Sequence, residues 1–377
     1  MSRFTPQVAR IATVPIRIHW GWGFISIIVV LLLQNLYRTQ IHDINAWFAA
    51  ASMVVLLLLS VILHECGHAI VARRFGVPIR SITIYAIGGI TEIVEDPPTA
   101  KIDFCINMAG PLASCMLMLL GALCWGLGTS SLVTLLGTQL FLINGMIIVF
   151  NLLPGYPLDG GRILRSILWF LFNDELRASQ STTRIAQLIG WSFLFVTILY
   201  ASTTYDFINS LWGALIGYFL LHTSKSGHQQ LLIRRTLTGV SVADLMLRVY
   251  PAVKPDLSLE QFVGKFLLGQ TNQGFPVIYA PDQDVPQPLL GMISVRDLRR
   301  FTTHKWSLTY VQEAMTPIDH LHTLTPNTPA SEAVRIFLDS KEEQIPVLDG
   351  ETFLGILRRR DIVRYIQMEL NRLTPRL

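Results

Sequence analysis

Long apolar runs in the first 224 residues constrain this chain more than any other feature. A helix crosses the hydrocarbon core with about 17–25 mostly apolar residues, and lipid admits only structures that satisfy their own backbone hydrogen bonds. Such runs occur at 19–36, 46–72, 104–126, 131–153, 185–203 and 207–222, the last being the shortest. Ile163–Phe172 is too short to cross and reads as an interfacial or partly buried helix. The whole chain of 377 residues is 15% charged, against about 25% in an ordinary soluble protein. That deficit lies almost wholly before residue 225, and the remainder has the mixed composition of a soluble domain. The expected fold class is therefore a polytopic α-helical membrane domain of about six transmembrane helices, followed by a cytoplasmic α/β domain.

Positive charge sets the orientation. Arg3, Arg10 and Arg17 precede the first run, and Arg73, Arg74, Arg80 and Lys101 separate the second from the third. Arg162, Arg165, Arg177 and Arg184 separate the fourth from the fifth, whereas the opposite loops hold only Arg38. Both termini are thus expected in the cytoplasm. The opening segment is too polar for a cleaved signal peptide. The four cysteines lie in apolar segments without a Cys-x-x-Cys pair and read as packed or lipid-facing thiols. A net charge of +4, without a dense basic tract interleaved with aromatics, points away from nucleic acid.

The second run contains His64-Glu65-Cys66-Gly67-His68. Positions i and i+4 share one helix face, so both imidazoles can reach one Zn²⁺. Glu65 lies alongside and can take a proton from an attacking water. The same five-residue pattern arises by chance on exposed soluble helices. Here a charged residue at a helix centre costs about 2.5–3.5 kcal/mol, so a group of three ionisable residues calls for a partner. His64 lies roughly 27 Å along the helix from Ala46 at about 1.5 Å per residue, in an apolar layer about 30 Å thick. The metal is expected near the cytoplasmic edge.

Catalytic zinc takes three protein ligands and leaves one position open. The segment Asn151–Arg162 ends the fourth run, with Pro154 and Pro157 breaking the helix and Gly160-Gly161 permitting a close turn. Asp159 stands there at the same edge. Two readings fit it: a third ligand, or an N-cap for the helix starting near Gly161. His19 and Trp20 read as interfacial anchors, and His222 and His228 as headgroup-level residues; none is assigned to the metal.

Together these motifs make residues 1–224 similar to the site-2 protease family of intramembrane zinc metalloproteases. The matching pieces are His64-Glu65-x-x-His68 and Asn151-x-x-Pro154-x-x-Pro157-Leu158-Asp159-Gly160-Gly161-Arg162. Met108-Ala109-Gly110-Pro111-Leu112 resembles the family's Gly-Pro turn beside the third span. The resemblance implies that His64, His68 and Asp159 bind one Zn²⁺, that Glu65 is the catalytic base, and that Asn151 holds the substrate backbone. It also implies a single-span membrane protein as substrate, such as a membrane-anchored regulator.

A substrate helix in lipid hides its carbonyls in its own hydrogen bonds, so it must be locally unwound. Residues 79–94 suggest how the extended form is held. Ile82, Ile84 and Ala86 alternate with Thr83 and Tyr85, and Gly88-Gly89 turns the chain into Ile90-Thr91-Glu92-Ile93. A hairpin edge there can pair with substrate, or the hairpin can be a simple connection.

Residues 241–303 and 310–370 repeat one pattern, joined to the membrane part by a linker at 225–240. Phe275-Pro276-Val277, Gly291-Met292-Ile293-Ser294 and Asp297 recur as Ile345-Pro346-Val347, Gly355-Ile356-Leu357-Arg358 and Asp361. This resembles a tandem pair of cystathionine-β-synthase-type (CBS) modules. The resemblance implies an adenine-nucleotide cleft, with Ser294 and Asp297 matching the ribose-binding pattern Gly-x-x-Ser/Thr-x-x-Asp. A carboxylate can accept both ribose hydroxyls. Arg358 replaces the hydroxyl residue in the second copy, leaving Asp361 to pair with an arginine, so one nucleotide site at most is expected. A purely structural or dimerising pair is the other reading, and a homodimer through these modules follows from it.

The expected function is regulated intramembrane proteolysis in a prokaryotic plasma membrane. The alternative is a transporter or channel gated by CBS modules, which needs ionisable residues spread along a pathway; here they converge on one cluster.

Overall fold

A computed structural model describes residues 7–11, 14–40, 44–85, 88–93, 97–204, 206–267, 274–279, 287–340 and 342–373. Arg3 and Ala86, used above, lie outside them. The chain divides into two compact units, Met1–Leu231 and Leu232–Leu377.

The first unit begins with β1 (Gln7–Ile11) and β2 (Val14–Ile18), then α1 (Gly21–Gln40) and α2 (Ala46–Arg74). The hairpin β3 (Ile79–Tyr85) and β4 (Gly88–Ile93) precedes α3 (Ala100–Leu127) and α4 (Ser131–Asn151). After a short loop come α5 (Asp159–Phe172), α6 (Glu175–Thr204) and α7 (Phe207–Leu237). Among the described residues five helices, α1, α2, α3, α4 and α6, are long and apolar enough to cross a membrane. The apolar stretch 207–222 is continuous with a polar extension in α7, which explains why the sixth expected span stands apart. It also makes residues 225–237 of the expected linker helical. This is a multi-pass membrane protein, and its bundle is turned outward accordingly: Leu32 is 68% exposed and Phe195 69%. Such large apolar faces suit lipid as solvent.

Polar contacts help to join the helices. Gln139 on α4 donates to the Ala49 carbonyl of α2 at 2.8 Å, and Asn144 donates to Ser60 Oγ at 3.0 Å. The sheet runs in the order β1-β2-β3-β4, with β2 and β3 parallel and the other pairs antiparallel. Ile16 pairs with Ile82 and Ile18 with Ile84, which puts one apolar face against Cys66 and Ala69 of α2. The expected hairpin is present, and β4 is the end strand of the sheet. Gly110-Pro111, expected at a turn, lies inside α3 instead. The apolar turns on both sides of Pro111 carry the helix through the one backbone bond that proline cannot make.

The second unit repeats a short-helix and strand pattern. Its first half holds α8 (Val242–Leu245), α9 (Leu259–Phe262), β5 (Gly274–Val277), β6 (Gly291–Ser294) and α10 (Val295–Leu298). Its second half holds α11 (Val311–Ala314), β7 (Thr316–Pro317), α12 (Ala330–Ser340), β8 (Gln344–Asp349), β9 (Thr352–Arg358) and α13 (Arg359–Leu373). Equivalent parallel bridges, Val253 to Val277 and Leu324 to Val347, mark the two copies. Each copy lends its first helix to the other's core: Val242 packs with Ile345 and Phe337, while Val311 and Ala314 pack with Phe262 and Phe275.

Candidate metal centre

One helical turn of α2 carries His64 and His68, both buried, with Glu65 between them. Asp159 opens α5, right after the Pro154–Pro157 loop. Its Oδ2 lies 3.0 Å from His64 Nε2 and 3.3 Å from His68 Nε2, and the two imidazole nitrogens are 3.3 Å apart. Ligand atoms held tetrahedrally at about 2.0–2.1 Å from one Zn²⁺ would stand roughly 3.3 Å from one another. The triangle therefore fits zinc. Among the described residues it is the group of His, Cys, Asp or Glu side chains that meets metal-ligand spacing. Asp159 makes no capping bond; Leu158 occupies the cap position of α5. Burial by itself would raise the Asp159 carboxyl, but the bonds to His64 and His68 outweigh it and hold the group below the usual carboxylate range.

Helix α3 supplies the outer contacts. Ser114 Oγ lies 2.9 Å from His64 Nδ1, and the Ile106 carbonyl lies 2.7 Å from His68 Nδ1. A carbonyl only accepts, so His68 donates from Nδ1, which leaves Nε2 as the atom turned toward Asp159. Asp103, also on α3 and buried, accepts from Arg165 Nη2 at 2.8 Å and Ser166 Oγ at 2.7 Å, both on α5. Asn107 donates to the same carboxylate at 2.9 Å. One helix thus holds both imidazoles directly and the Asp159 helix through Asp103. A Cβ at Gly110 would lie against both histidine Nε2 atoms, so only glycine leaves room before them.

Glu65 is 8% exposed and accepts from Thr91 Oγ1 of β4 at 2.6 Å. A Cβ at Gly89 would run into the Glu65 carboxylate. The end strand of the sheet is thereby set against the glutamate. Asn151, the last residue of α4, is half-buried and its side chain makes no hydrogen bond to a described residue, so the structure does not tie it to the cluster. In the second unit, Asp297 Oδ2 accepts from Ser294 N at 2.8 Å and Ser294 Oγ at 2.7 Å, forming a capping box on α10. Asp361 instead receives Arg358 through Nε at 2.5 Å and Nη2 at 2.8 Å.

Ser114, Ile106, Thr91 and Asp103 escape sequence reasoning. Only Asp103 leaves a trace, as an acidic residue entering a membrane helix.

Comparison with known proteins fits both units. The family model for peptidase family M50 matches residues 52–135 and 127–197, and the CBS domain model matches 242–303 and 311–368. Rip3 of Mycobacterium tuberculosis is 29% identical over 374 residues, covering 96% of this chain and 92% of that protein. The zinc metalloprotease MJ0392 of Methanocaldococcus jannaschii is 26% identical over 364 residues, covering 96% of each. Among solved structures, the site-2 protease from Methanocaldococcus jannaschii is 25% identical, covers 59% of this chain and 94% of its own, and superposes with a TM-score of 0.39.

Proposed function

The chain is a site-2-type zinc metalloprotease of peptidase family M50 with two CBS domains, and we propose that it cuts membrane-spanning or membrane-proximal segments with Glu65 as base and His64, His68 and Asp159 as ligands to one Zn²⁺. The observation that carries this reading is the 3.0–3.3 Å triangle of ligand atoms, drawn from two separate helices, with a buried carboxylate beside it. When bound, Zn²⁺ supplies Lewis acidity that polarises the scissile carbonyl and makes water a nucleophile at neutral pH. Glu65 accepts the proton of the attacking water and delivers it to the leaving amine. Thr91 fixes the Glu65 carboxylate for both transfers, and Ser114 and Ile106 keep the imidazoles turned inward.

Substrate enters unwound and adds as a strand to β4, where main-chain hydrogen bonds replace those of its helix. The end position of β4 and the Thr91–Glu65 bond support this, since the added strand would run beside the base. Asn151 then holds substrate backbone from the α4 end. Deleting the hairpin with zinc content intact abolishes cleavage on this reading; undiminished cleavage would refute it.

Residues 1–224 form the catalytic body, 225–240 the linker, and 241–303 and 310–370 the two CBS modules. Those modules sense an adenine nucleotide at Ser294 and Asp297, and they pair two chains. The Asp297 carboxylate of α10 is bonded to Ser294 at the end of β6, and a ribose would exchange for those capping bonds. Both termini face the cytoplasm of a prokaryotic cell, and the substrate is a single-span membrane protein. The decisive experiment purifies the chain and Glu65→Gln, measures zinc, and incubates each with a labelled single-span substrate. Cleavage by the first only, with zinc in both, supports the reading. Equal cleavage by both sinks it. Titration of AMP, ADP and ATP into the full chain tests the nucleotide site, and a flat response leaves a structural pair.

A further inference from the structure

Outside the metal centre, α5, α6 and α7 border a narrow cleft, open on one side, at the polar ends of these helices. Arg162, Arg165, Ser179, Thr183, Ser224 and His228 line it, and no carboxylate does. Arg165 is already matched by Asp103 at 2.8 Å. Arg162 differs: its guanidinium sits over the Tyr156 ring, 5.5 Å from the centroid, and no ion pair joins it to a described acid. His228 Nδ1 is buried and has no hydrogen-bond partner among the described residues. Burial pushes its imidazole below the ordinary value, so it offers a hydrogen bond in place of a charge. Thr183 Oγ1 reaches the Ser179 carbonyl at 3.0 Å and the Ser224 carbonyl at 3.2 Å, which ties α6 to α7 and fixes the walls.

A fixed, half-open cleft with a planar cation, a buried ring nitrogen and no acid in its lining selects an oxyanion. Its α6 wall, Ser179 to Ala186, lies where that helix passes from polar first turns into the apolar stretch, the level at which basic pockets between membrane helices take headgroups. The geometry points to a phosphate-binding pocket that receives the headgroup of an anionic phospholipid through Arg162 and His228. Arg162 lies three residues beyond Asp159 on α5, so an occupied pocket braces the helix that carries this proposed ligand.

The test uses the full chain in detergent. Thermal unfolding is followed with dihexanoylphosphatidylglycerol, with the matching phosphatidylcholine, and with inorganic phosphate, and native mass spectrometry counts retained phosphatidylglycerol. Arg162→Gln and His228→Ala are compared, with bound zinc as the sign of a folded chain. The expected result is stabilisation by phosphatidylglycerol over phosphatidylcholine, weakened about tenfold in apparent affinity in either zinc-retaining variant, as loss of one charge-assisted hydrogen bond implies. Stabilisation by inorganic phosphate alone, lost in the same variants, keeps the phosphate pocket and assigns it a soluble ligand. A response that persists in a zinc-retaining variant overturns the pocket. So does a parent chain that responds to neither probe and retains no phosphatidylglycerol.

Discussion

Buried polar side chains in the membrane unit are joined to one another, whereas the second unit buries almost only apolar ones. His64, His68, Asp103, Asn107, Ser114, Gln139 and Asn144 all lie inside the first unit. Among the described buried residues of the second, the polar ones are Thr236 and Thr309. The contrast follows from the solvent. Lipid gives helices no hydrophobic reason to prefer one another, so hydrogen bonds and close packing choose the neighbours. Water drives the other unit together through Phe262, Phe275, Ile293 and Ile345, and leaves its polar groups for helix caps.

Four substitutions sharpen this contrast, beginning with the largest effect. Glu65→Gln should lower single-turnover cleavage by about 10²–10⁴-fold with zinc unchanged by elemental analysis. Phe275→Ala should destabilise the second unit by about 3–5 kcal/mol in denaturant unfolding, and zinc in the first should stay. Loss of both together would erase the distinction between the units. Asp103→Asn should weaken zinc retention about 10–100-fold in a chelator competition, since it loosens α5 without touching the three proposed ligands. Ser294→Ala removes a cap and should cost about 1 kcal/mol, read from the same unfolding curves.

Much of this was legible in the residues. The H-E-x-x-H spacing named His64 and His68, because helical periodicity is a local property; the proline-broken run brought Asp159 to the same edge but left it open between ligand and cap, and the family resemblance made it the third. The hairpin and both CBS repeats were likewise readable from local pattern. Helix α3 was not. Its Ser114 and the Ile106 carbonyl matter only through which helix they face, and nothing in Met108–Leu112 says that the glycine clears space for two imidazoles. The turn at Gly110-Pro111 came from the family resemblance alone, and the apolar helix around it carries straight through. The exchange of first helices between the two repeats was hidden too, since packing between segments so far apart in the chain leaves no mark on either one.

Helix α3 has a further consequence. Two imidazoles and the helix bearing Asp159 all take their bearings from one rigid body, as parts located from a single datum. Drift of that body in a fluid bilayer carries the three along together and leaves their mutual distances alone. A slide of α2 along α3 has the opposite result, releasing both imidazoles at once. Such a centre tolerates a moving environment and can come apart from two sides, through α2, which takes both imidazoles, or through α5, which takes Asp159 alone.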